Sequence, residues 1–123
     1  MINADYKIAE KAFWQGRKSN PDIENQYWHQ EIKLVDTEKE DVTSDIAIIG
    51  YVCDEGVRRN RGRIGANQGP KAIRESLAKL PIHYDNKHIA DVGDIVCVDD
   101  DMEACQVLFS NHISNLLNQK VFQ

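Results

Sequence analysis

A short apolar run at residues 46–53, Ile-Ala-Ile-Ile-Gly-Tyr-Val-Cys, constrains the fold of this chain more than any other feature. Its apolar residues follow one another almost without interruption, and several are β-branched, which is typical of a strand covered on both faces. Strands of this kind belong to parallel sheets with helices packed on either side. The run therefore predicts an α/β fold.

The residues that follow this strand predict a helix and a second strand. Pro70 suits the first position of a helix because its missing N–H has no partner to lose there. Apolar residues then recur at helical spacing, which predicts a helix from residue 70 to about residue 80. Its apolar stripe consists of Ile73, Leu77 and Leu80. Residues 88–98 are typical of a second strand, and Gly93 within it predicts a bulge.

A second helix is predicted after this strand. Asp99, Asp100 and Asp101 offer carboxylate oxygens and favourable charge for its first turn, and Glu103 stands in capping-box register to Asp100. Its apolar stripe consists of Cys105, Leu108, Phe109, His112, Ile113, Leu116 and Leu117.

These elements follow in the order strand, loop, helix, strand, helix, which predicts a parallel α/β unit over residues 45–123. Residues 1–44 show no sustained periodicity and are expected to form an irregular arm over the core. The chain of 123 residues has the length of one domain. It stops at Lys120–Gln123 in what resembles the start of a third strand. The sheet is therefore expected to be incomplete, with unpaired edges that favour self-association.

The composition bears on location and partners. No apolar run approaches the length of about 20 residues that a bilayer requires, and the N-terminus lacks the apolar stretch of a secretory signal, so a cytoplasmic location is expected. The formal net charge of −5 argues against a nucleic-acid partner. Cys53, Cys97 and Cys105 are widely spaced within apolar segments. Their placement predicts reduced, buried thiols rather than disulfides or a zinc site.

An arginine-rich segment, residues 54–74, lies after the first strand and contains five arginines, one lysine and four glycines. Ligands of open parallel α/β sheets bind at the carboxyl ends of the strands, which is where this segment begins. The guanidinium groups of Arg58, Arg59, Arg61 and Arg63 can each bind a carboxylate or phosphate through two parallel hydrogen bonds. The segment is therefore a candidate binding site for an anionic ligand.

Two other interpretations of this segment remain open. Charge-rich loops are usually solvated, and the arginines can pair with Asp54, Glu55 or Asp94 as part of the scaffold. A phosphate-binding loop has less support, because residues 65–71, Gly-Ala-Asn-Gln-Gly-Pro-Lys, lack the spacing and the final Ser or Thr of that motif.

Residues 46–81 resemble the N-terminal signature of the ureohydrolase family of arginases and agmatinases, and in particular its formimidoylglutamase branch. The pieces Arg63-x-Gly65-Ala66 and Gly69-Pro70-x-Ala72-Ile73-Arg74 are similar to the pattern shared across the family. Asp54-Glu55-Gly56-Val57-Arg58-Arg59-Asn60 is similar to the formimidoylglutamase form. The strand piece Asp91-x-Gly93-Asp94 also fits the family pattern.

Weaker matches to the same branch lie in the arm, at Trp14-x-Gly16-Arg17 and His29-Gln30, although Ser19 stands where aspartate is more usual. The resemblance covers essentially the whole chain. It implies the N-terminal part of a three-layer αβα parallel-sheet fold of the arginase type, truncated before the strands that carry the metal ligands.

The resemblance implies a hydrolase that converts N-formimidoyl-L-glutamate and water to L-glutamate and formamide in histidine degradation, with two manganese ions as cofactors. Because this substrate carries two carboxylates, the resemblance also implies that four residues bind substrate at the rim of the site: Arg58, Arg59, Asn60 and Arg63. An agmatinase is the nearest alternative within the family, but these arginines would repel its cationic substrate. A non-catalytic anion-binding α/β module, or a fragment that adds its exposed edge to a partner, is the alternative outside the family.

The metal ligands of the family lie in later motifs, and neither its Gly-Gly-x-His nor its Asp-x-His-x-Asp motif occurs in this chain. The run Asp99–Asp101 is explained by helix capping. His83-Tyr84-Asp85 follows Pro81 without companion ligands and is expected to lie at the surface. The chain is therefore expected to bind no metal and to be inactive by itself, and no catalytic residue is assigned to it.

Overall fold

The structure is a computed structural model that describes residues 4–16, 27–82 and 88–119. Its strands are β1 (Ala4–Lys7), β2 (Lys33–Leu34), β3 (Ile46–Val52) and β4 (Ile89–Cys97). Its helices are α1 (Trp28–Glu31), α2 (Glu55–Arg59), α3 (Gly69–Ala78) and α4 (Met102–Asn118), and none of these is long and apolar enough to cross a membrane. The expectations for Arg17, Ser19, His83-Tyr84-Asp85 and Lys120–Gln123 fall outside the described residues.

Strand β4 is the centre of the sheet. It pairs in parallel with β3 along one side, from Ile46 opposite Ile89 to Val52 opposite Val96. Along its other side, β4 pairs in parallel with β2 near its beginning and antiparallel with β1 near its end. The α/β architecture expected from the sequence is confirmed, and β1 makes the sheet mixed rather than wholly parallel.

The arm is not wholly irregular, since β1 and β2 both join the sheet. Because β2 covers only the first part of β4, β1 satisfies the backbone groups that remain along that side. The Tyr6 hydroxyl donates to the Val92 carbonyl (2.5 Å) and accepts the Thr37 N–H (3.1 Å), which fixes β1 in place. Strands this short show no period in a sequence, so the expectation of an irregular arm was wrong at these two points. The domain division at residue 44 stays a prediction.

The bulge predicted at Gly93 is confirmed. The register of β3 against β4 shifts by one residue between Ile48, opposite Asp91, and Gly50, opposite Asp94. Gly93 has φ +95°, a conformation that costs glycine little. After the bulge, Asp94 lies against Gly50, where a Cβ atom would collide with the Asp94 carboxylate. The bulge therefore brings Asp94 to the face of the sheet that α3 covers.

Helices α3 and α4 cover opposite faces of the sheet, which gives the three layers expected from the family resemblance. The core on the α4 face consists of Val35, Val42, Ala90, Val92 and Leu116, each at most 3 % exposed. On the opposite face, Asp91 of β4 contacts Arg74 of α3. Alternate residues of β4 thus serve the two faces, as the pleat of a strand requires.

Helix α3 lies where the sequence predicts a helix, but the predicted apolar stripe is wrong. Its buried residues are Arg74 and Ala78, whereas Ile73 and Leu80 are 60 % and 48 % exposed. The residues have the spacing of a helix, but the face that packs on the sheet begins one position after the predicted apolar stripe. This offset has a chemical cause, because Arg74 turns inward to reach Asp91.

The acidic run caps helix α4 as the sequence predicts, but the capping-box register predicted for Asp100 and Glu103 is wrong. The carboxylate of Asp101, rather than that of Asp100, accepts the N–H of Ala104 (3.1 Å). Asp99 and Asp100 form the preceding turn, with φ of +53° and +59°. Glu103 consequently lies out of capping-box register, and its side chain reaches α2 instead.

The apolar stripe predicted for α4 is confirmed in part. Cys105 and Leu116 are buried. Phe109 packs edge-to-face on Tyr51 of β3, with ring centroids 5.4 Å apart. Leu117 is 52 % exposed, so the buried stripe is narrower than the sequence predicts.

Candidate functional site

The arginine-rich segment begins with a closed loop at the carboxyl end of β3. The Asp54 carboxylate follows this strand and accepts the N–H groups of Gly65 (3.3 Å) and Asn67 (2.7 Å). These two bonds close residues 54–67 on themselves, and we call this range the arginine loop. The loop lies at the edge of the sheet where parallel α/β proteins bind their ligands. Asp54 therefore serves the backbone of the loop and is not an ion-pair partner of its arginines.

Glu55 is a buried carboxylate at the base of the arginine loop and is 2 % exposed. Arg58 Nε and Nη2 donate to Glu55 Oε2 at 3.2 and 3.0 Å, and Arg59 Nε lies 3.5 Å from Glu55 Oε1. A buried carboxylate is costly unless cations and donors surround it, so Glu55 depends on both arginines. Hydrogen bonding to Glu55, followed by its charge, raises the pKa of Arg58 above the usual value.

Arg59 also links α2 to α4. Its Nη1 and Nη2 donate to the two carboxylate oxygens of Glu103, at 2.5 and 3.2 Å. Because α2 follows β3 and α4 follows β4, this fork joins the chain segments at the carboxyl ends of adjacent strands. The hydrogen bond raises the pKa of Arg59 and lowers that of Glu103. Exposed pairs of this kind add little to stability, and the effect of this one is to hold Arg59 in place.

Asn60 and Arg63 occupy the outer part of the arginine loop. Asn60 ends α2, and Arg61 next to it has φ +57°, which turns the chain. Arg63 is exposed, and no carboxylate within residues 4–16, 27–82 or 88–119 pairs with it. Arg58 and Arg59 thus form ion pairs with acidic residues, as the scaffold interpretation predicts. Asn60 and Arg63 are exposed. Ligand binding by these four residues stays a prediction.

A buried ion cluster joins α3 to β4, and only its pairing of Asp94 with an arginine of residues 54–74 was expected from the sequence. Arg74 Nε and Nη2 donate to the two oxygens of Asp91 (2.7 and 2.9 Å), and Arg74 Nη1 donates to Asp94 (2.7 Å). Trp14 Nε1 donates to Asp91 Oδ2 at 2.7 Å. Burial lowers the pKa of Arg74, but the hydrogen bonds and charges of Asp91 and Asp94 outweigh it, so the pKa is raised overall. The guanidinium therefore stays charged.

This cluster fixes α3, and with it the end of the arginine-rich segment, against the sheet. Its members come from three of the pieces that carry the family resemblance, namely the Trp14 piece, the piece that ends at Arg74 and the Asp91-x-Gly93-Asp94 piece. Arg74 shares its helix face with Ala78 four positions later, and the sequence did not reveal this face as the inner one because the partner Asp91 is 17 residues away. Asp94, proposed as a scaffold partner for the segment's arginines, pairs with Arg74.

The three cysteines are free thiols, as the sequence predicts. Cys105 is buried in α4, whereas Cys53 and Cys97 are half-buried at the ends of β3 and β4. Burial, and then the neighbouring Cys53 thiol, raises the pKa of Cys97 from 9.0 to about 12. Burial also raises the pKa of Cys105 and that of Tyr51. Cys97 and Cys105 therefore remain protonated at neutral pH.

Raising the pH from about 8 to about 10 is expected to lower the free energy of unfolding. The pKa of Cys97 is about 12 in the folded chain against a usual 9.0, so the unfolded chain loses this proton first. This contribution is fully present below the unfolded pKa and is lost as the pH rises toward the folded one. The midpoints of urea unfolding at the two pH values measure this fall in the free energy of unfolding. The fall should be smaller in the Cys97→Ala variant than in the unsubstituted chain. Equal urea midpoints at the two pH values in the unsubstituted chain would contradict the raised pKa of Cys97.

The described residues do not fit the metal pair that the family resemblance implies. Within residues 4–16, 27–82 and 88–119, no group of three or more His, Cys, Asp or Glu side chains is placed to hold a metal ion. Asp101 in the acidic run caps α4. No catalytic step is therefore assigned to metal bound by these residues.

Comparison with known proteins defines the class to which this fold and loop belong. The sequence model of the Arginase family matches residues 44–122, and the chain belongs to that family. Its curated relatives include formimidoylglutamases. The formimidoylglutamase from Clostridium tetani is 37 % identical over an alignment 129 residues long. The alignment covers 99 % of this chain and 38 % of that protein.

Two further formimidoylglutamases show similar identity. The protein from Legionella pneumophila strain Philadelphia 1 is 40 % identical over 109 residues, covering 87 % of this chain and 33 % of that protein. The protein from Geobacillus thermodenitrificans is 40 % identical over 120 residues, covering 94 % of this chain and 37 % of that protein. The chain therefore spans 33–38 % of the length of these three relatives.

Proposed function

We propose that this chain is the N-terminal part of a formimidoylglutamase, which hydrolyses N-formimidoyl-L-glutamate to L-glutamate and formamide in histidine degradation. The identity of 37–40 % to relatives of that name, over most of this chain, supports the proposal. The proposal includes two manganese ions, and the side chains that hold them lie outside the described residues. The part of the chain described above contributes the substrate-recognising edge of the sheet.

The observation that carries the proposal is a set of exposed guanidinium groups at the carboxyl edge of the sheet, among which that of Arg63 has no acidic partner within the described residues. The side chains of Arg58 and Arg59 are 57 % and 42 % exposed although both contact acids, and Arg63 is exposed as well. A substrate with two carboxylates is attracted to such groups, and a guanidinium can bind a carboxylate through two N–H groups. Agmatine, which is a cation without a carboxylate, offers Arg63 no group to bind.

The four candidate residues take different roles in this proposal. Arg63 and Asn60, both exposed, donate hydrogen bonds to a substrate carboxylate. Arg58 adds positive charge at the same edge while its guanidinium is shared with Glu55. Arg59 is a positioning residue, because it holds the arginine loop against α4.

Release of formamide from N-formimidoyl-L-glutamate tests the proposal. The assay uses the protein encoded by the complete reading frame that contains this sequence, purified with manganese. We expect hydrolysis of N-formimidoyl-L-glutamate and none of agmatine, because Arg63 can bind a carboxylate and has no acceptor for a cationic group. The 123-residue chain alone is the control and is expected to release no formamide and to bind no manganese in calorimetry. Release of urea from agmatine, or turnover by the control chain, would contradict the proposal.

A further inference from the structure

Cys53 and Cys97 lie side by side at the ends of neighbouring parallel strands. Val52 of β3 is paired with Val96 of β4, and the two cysteines are the next residue on each chain. Neighbouring strands are about 4.8 Å apart, which falls within the range of about 4.4–6.8 Å between Cα atoms that a disulfide requires. Residues in register on adjacent strands also project to the same face. The register and spacing of the two strands are therefore compatible with a disulfide between these residues.

The surroundings of the two thiols support contact between them. Tyr51, two residues before Cys53, packs on Phe109 of α4, which places Cys53 on the face that α4 covers. Cys97 lies on the same face, and the Cys53 thiol is the neighbouring group that most raises the pKa of Cys97 after burial itself. Cys105, the third thiol, is fully buried in α4.

Cys53 can be reached from solvent. An open cavity of about 350 Å³ between β3, α2 and α4 is lined by Cys53, Tyr51, Val57, Met102 and Phe109. Neither Cys97 nor Cys105 lines it. A small neutral oxidant such as hydrogen peroxide can therefore reach the Cys53 sulfur through this cavity, with Cys97 on the adjacent strand.

We propose that Cys53 and Cys97 form a reversible, peroxide-responsive disulfide site at the base of the arginine loop. The Cys53 thiolate attacks one oxygen of hydrogen peroxide, the O–O bond breaks, and Cys53 becomes a sulfenic acid. The hydroxide released takes up the proton that the thiol gave. The Cys97 sulfur then attacks the Cys53 sulfur, the S–S bond forms, and the sulfenic hydroxyl leaves as water with the Cys97 proton.

Two thiols are oxidised by two electrons in this sequence, and one hydrogen peroxide is reduced to two waters. The cross-link ties the carboxyl ends of β3 and β4 together. It sits directly before Asp54, whose carboxylate closes the arginine loop. The site does not depend on the proposed hydrolase activity, and its test needs no substrate.

Peptide mapping of the peroxide-treated, folded 123-residue chain tests the proposal. Remaining thiols are alkylated, and the chain is cut with trypsin and with a protease that cleaves at aspartate, which separates Cys97 from Cys105 at residues 99–101. We expect a Cys53–Cys97 linked peptide that has lost two hydrogens in mass, an alkylated Cys105, and full reversal by dithiothreitol. Linkage of Cys53 to Cys105, over-oxidation of Cys53 with Cys97 still alkylated, or no reaction would overturn the proposal.

Two variants and a denatured sample serve as controls. Cys105→Ala is expected to keep the cross-link. Cys97→Ala is expected to lose it and to leave a Cys53 sulfenic acid that dimedone traps. In guanidinium chloride, where the strand register is absent, the selectivity for the Cys53–Cys97 pair should disappear. If a variant does not fold, the map of the unsubstituted chain in the folded and denatured states decides the question.

Discussion

Replacing Arg74 by alanine is expected to lower the free energy of unfolding by about 3–5 kcal/mol. Arg74 and Asp91 are 1 % and 0 % exposed, and the guanidinium forms two hydrogen bonds to the Asp91 carboxylate. Removing the cation leaves Asp91 buried with a negative charge and, among the described residues, only the N–H groups of Trp14 and Gly93 to satisfy it. Asp94 loses its partner as well. The cost of an uncompensated buried charge, rather than the strength of the pair, sets the size of this effect.

Urea unfolding followed by the fluorescence of Trp14 and Trp28 measures the loss. Lys71→Ala on the same helix is the matched control, because Lys71 pairs with Glu75 at 3.9 Å and both side chains are about half exposed. The control is expected to change the free energy of unfolding by less than about 1 kcal/mol. An Arg74→Ala variant that unfolds at the same urea concentration as the control would show that the buried cluster does not hold α3 to β4.

Gly93→Ala is expected to lower the free energy of unfolding by about 2–5 kcal/mol, from backbone strain and steric overlap together. Gly93 has φ +95°, which an alanine adopts only under strain. A Cβ atom there would collide with the carbonyl oxygen of Lys7 and lie 2.9 Å from the Cα of Ile8. Both neighbours are backbone atoms, so relief requires β1 to move away from β4.

Gly69→Ala is the control for this substitution. Gly69 opens α3 with φ −57°, and a Cβ there meets no atom within 4 Å. Alanine at this position is expected to change the free energy of unfolding by less than about 1 kcal/mol, because its helix propensity offsets the disfavour for a Cβ before Pro70. Equal urea midpoints for Gly93→Ala and Gly69→Ala would contradict the role given to the bulge.

The long elements of this fold are predictable from the sequence, whereas the short ones are not. The apolar runs of β3 and β4 and the helical spacing in α3 and α4 are strong local patterns, and the structure confirms the four elements. Strands β1 and β2 form because β4 has open backbone groups along one side, which is a property of the sheet and not of their own residues. The inward face of α3 was missed because its anchor is the cation Arg74, whose partner Asp91 is 17 residues away.

The candidate site shows the same division between local and distant interactions. Glu55 pairs with Arg58 one helical turn away, and this partner was among those considered from the sequence. Glu103 is 44 residues from Arg59, and only the packing of α2 beside α4 reveals the contact. Asp54, considered as an ion-pair partner, instead accepts backbone N–H groups, because the closed loop places Gly65 and Asn67 against it.

The central claim is that the arginine loop recognises the carboxylates of the substrate, and the kinetics of Arg63→Ala in the complete enzyme test it most directly. Two substrates are compared, N-formimidoyl-L-glutamate and N-formimidoyl-4-aminobutyrate, which lacks the α-carboxylate. If Arg63 binds that group, kcat/KM falls about tenfold to a hundredfold for the first substrate and stays unchanged for the second. An equal fall for both substrates would place Arg63 at the side-chain carboxylate that both carry, and no fall for either would contradict the claim.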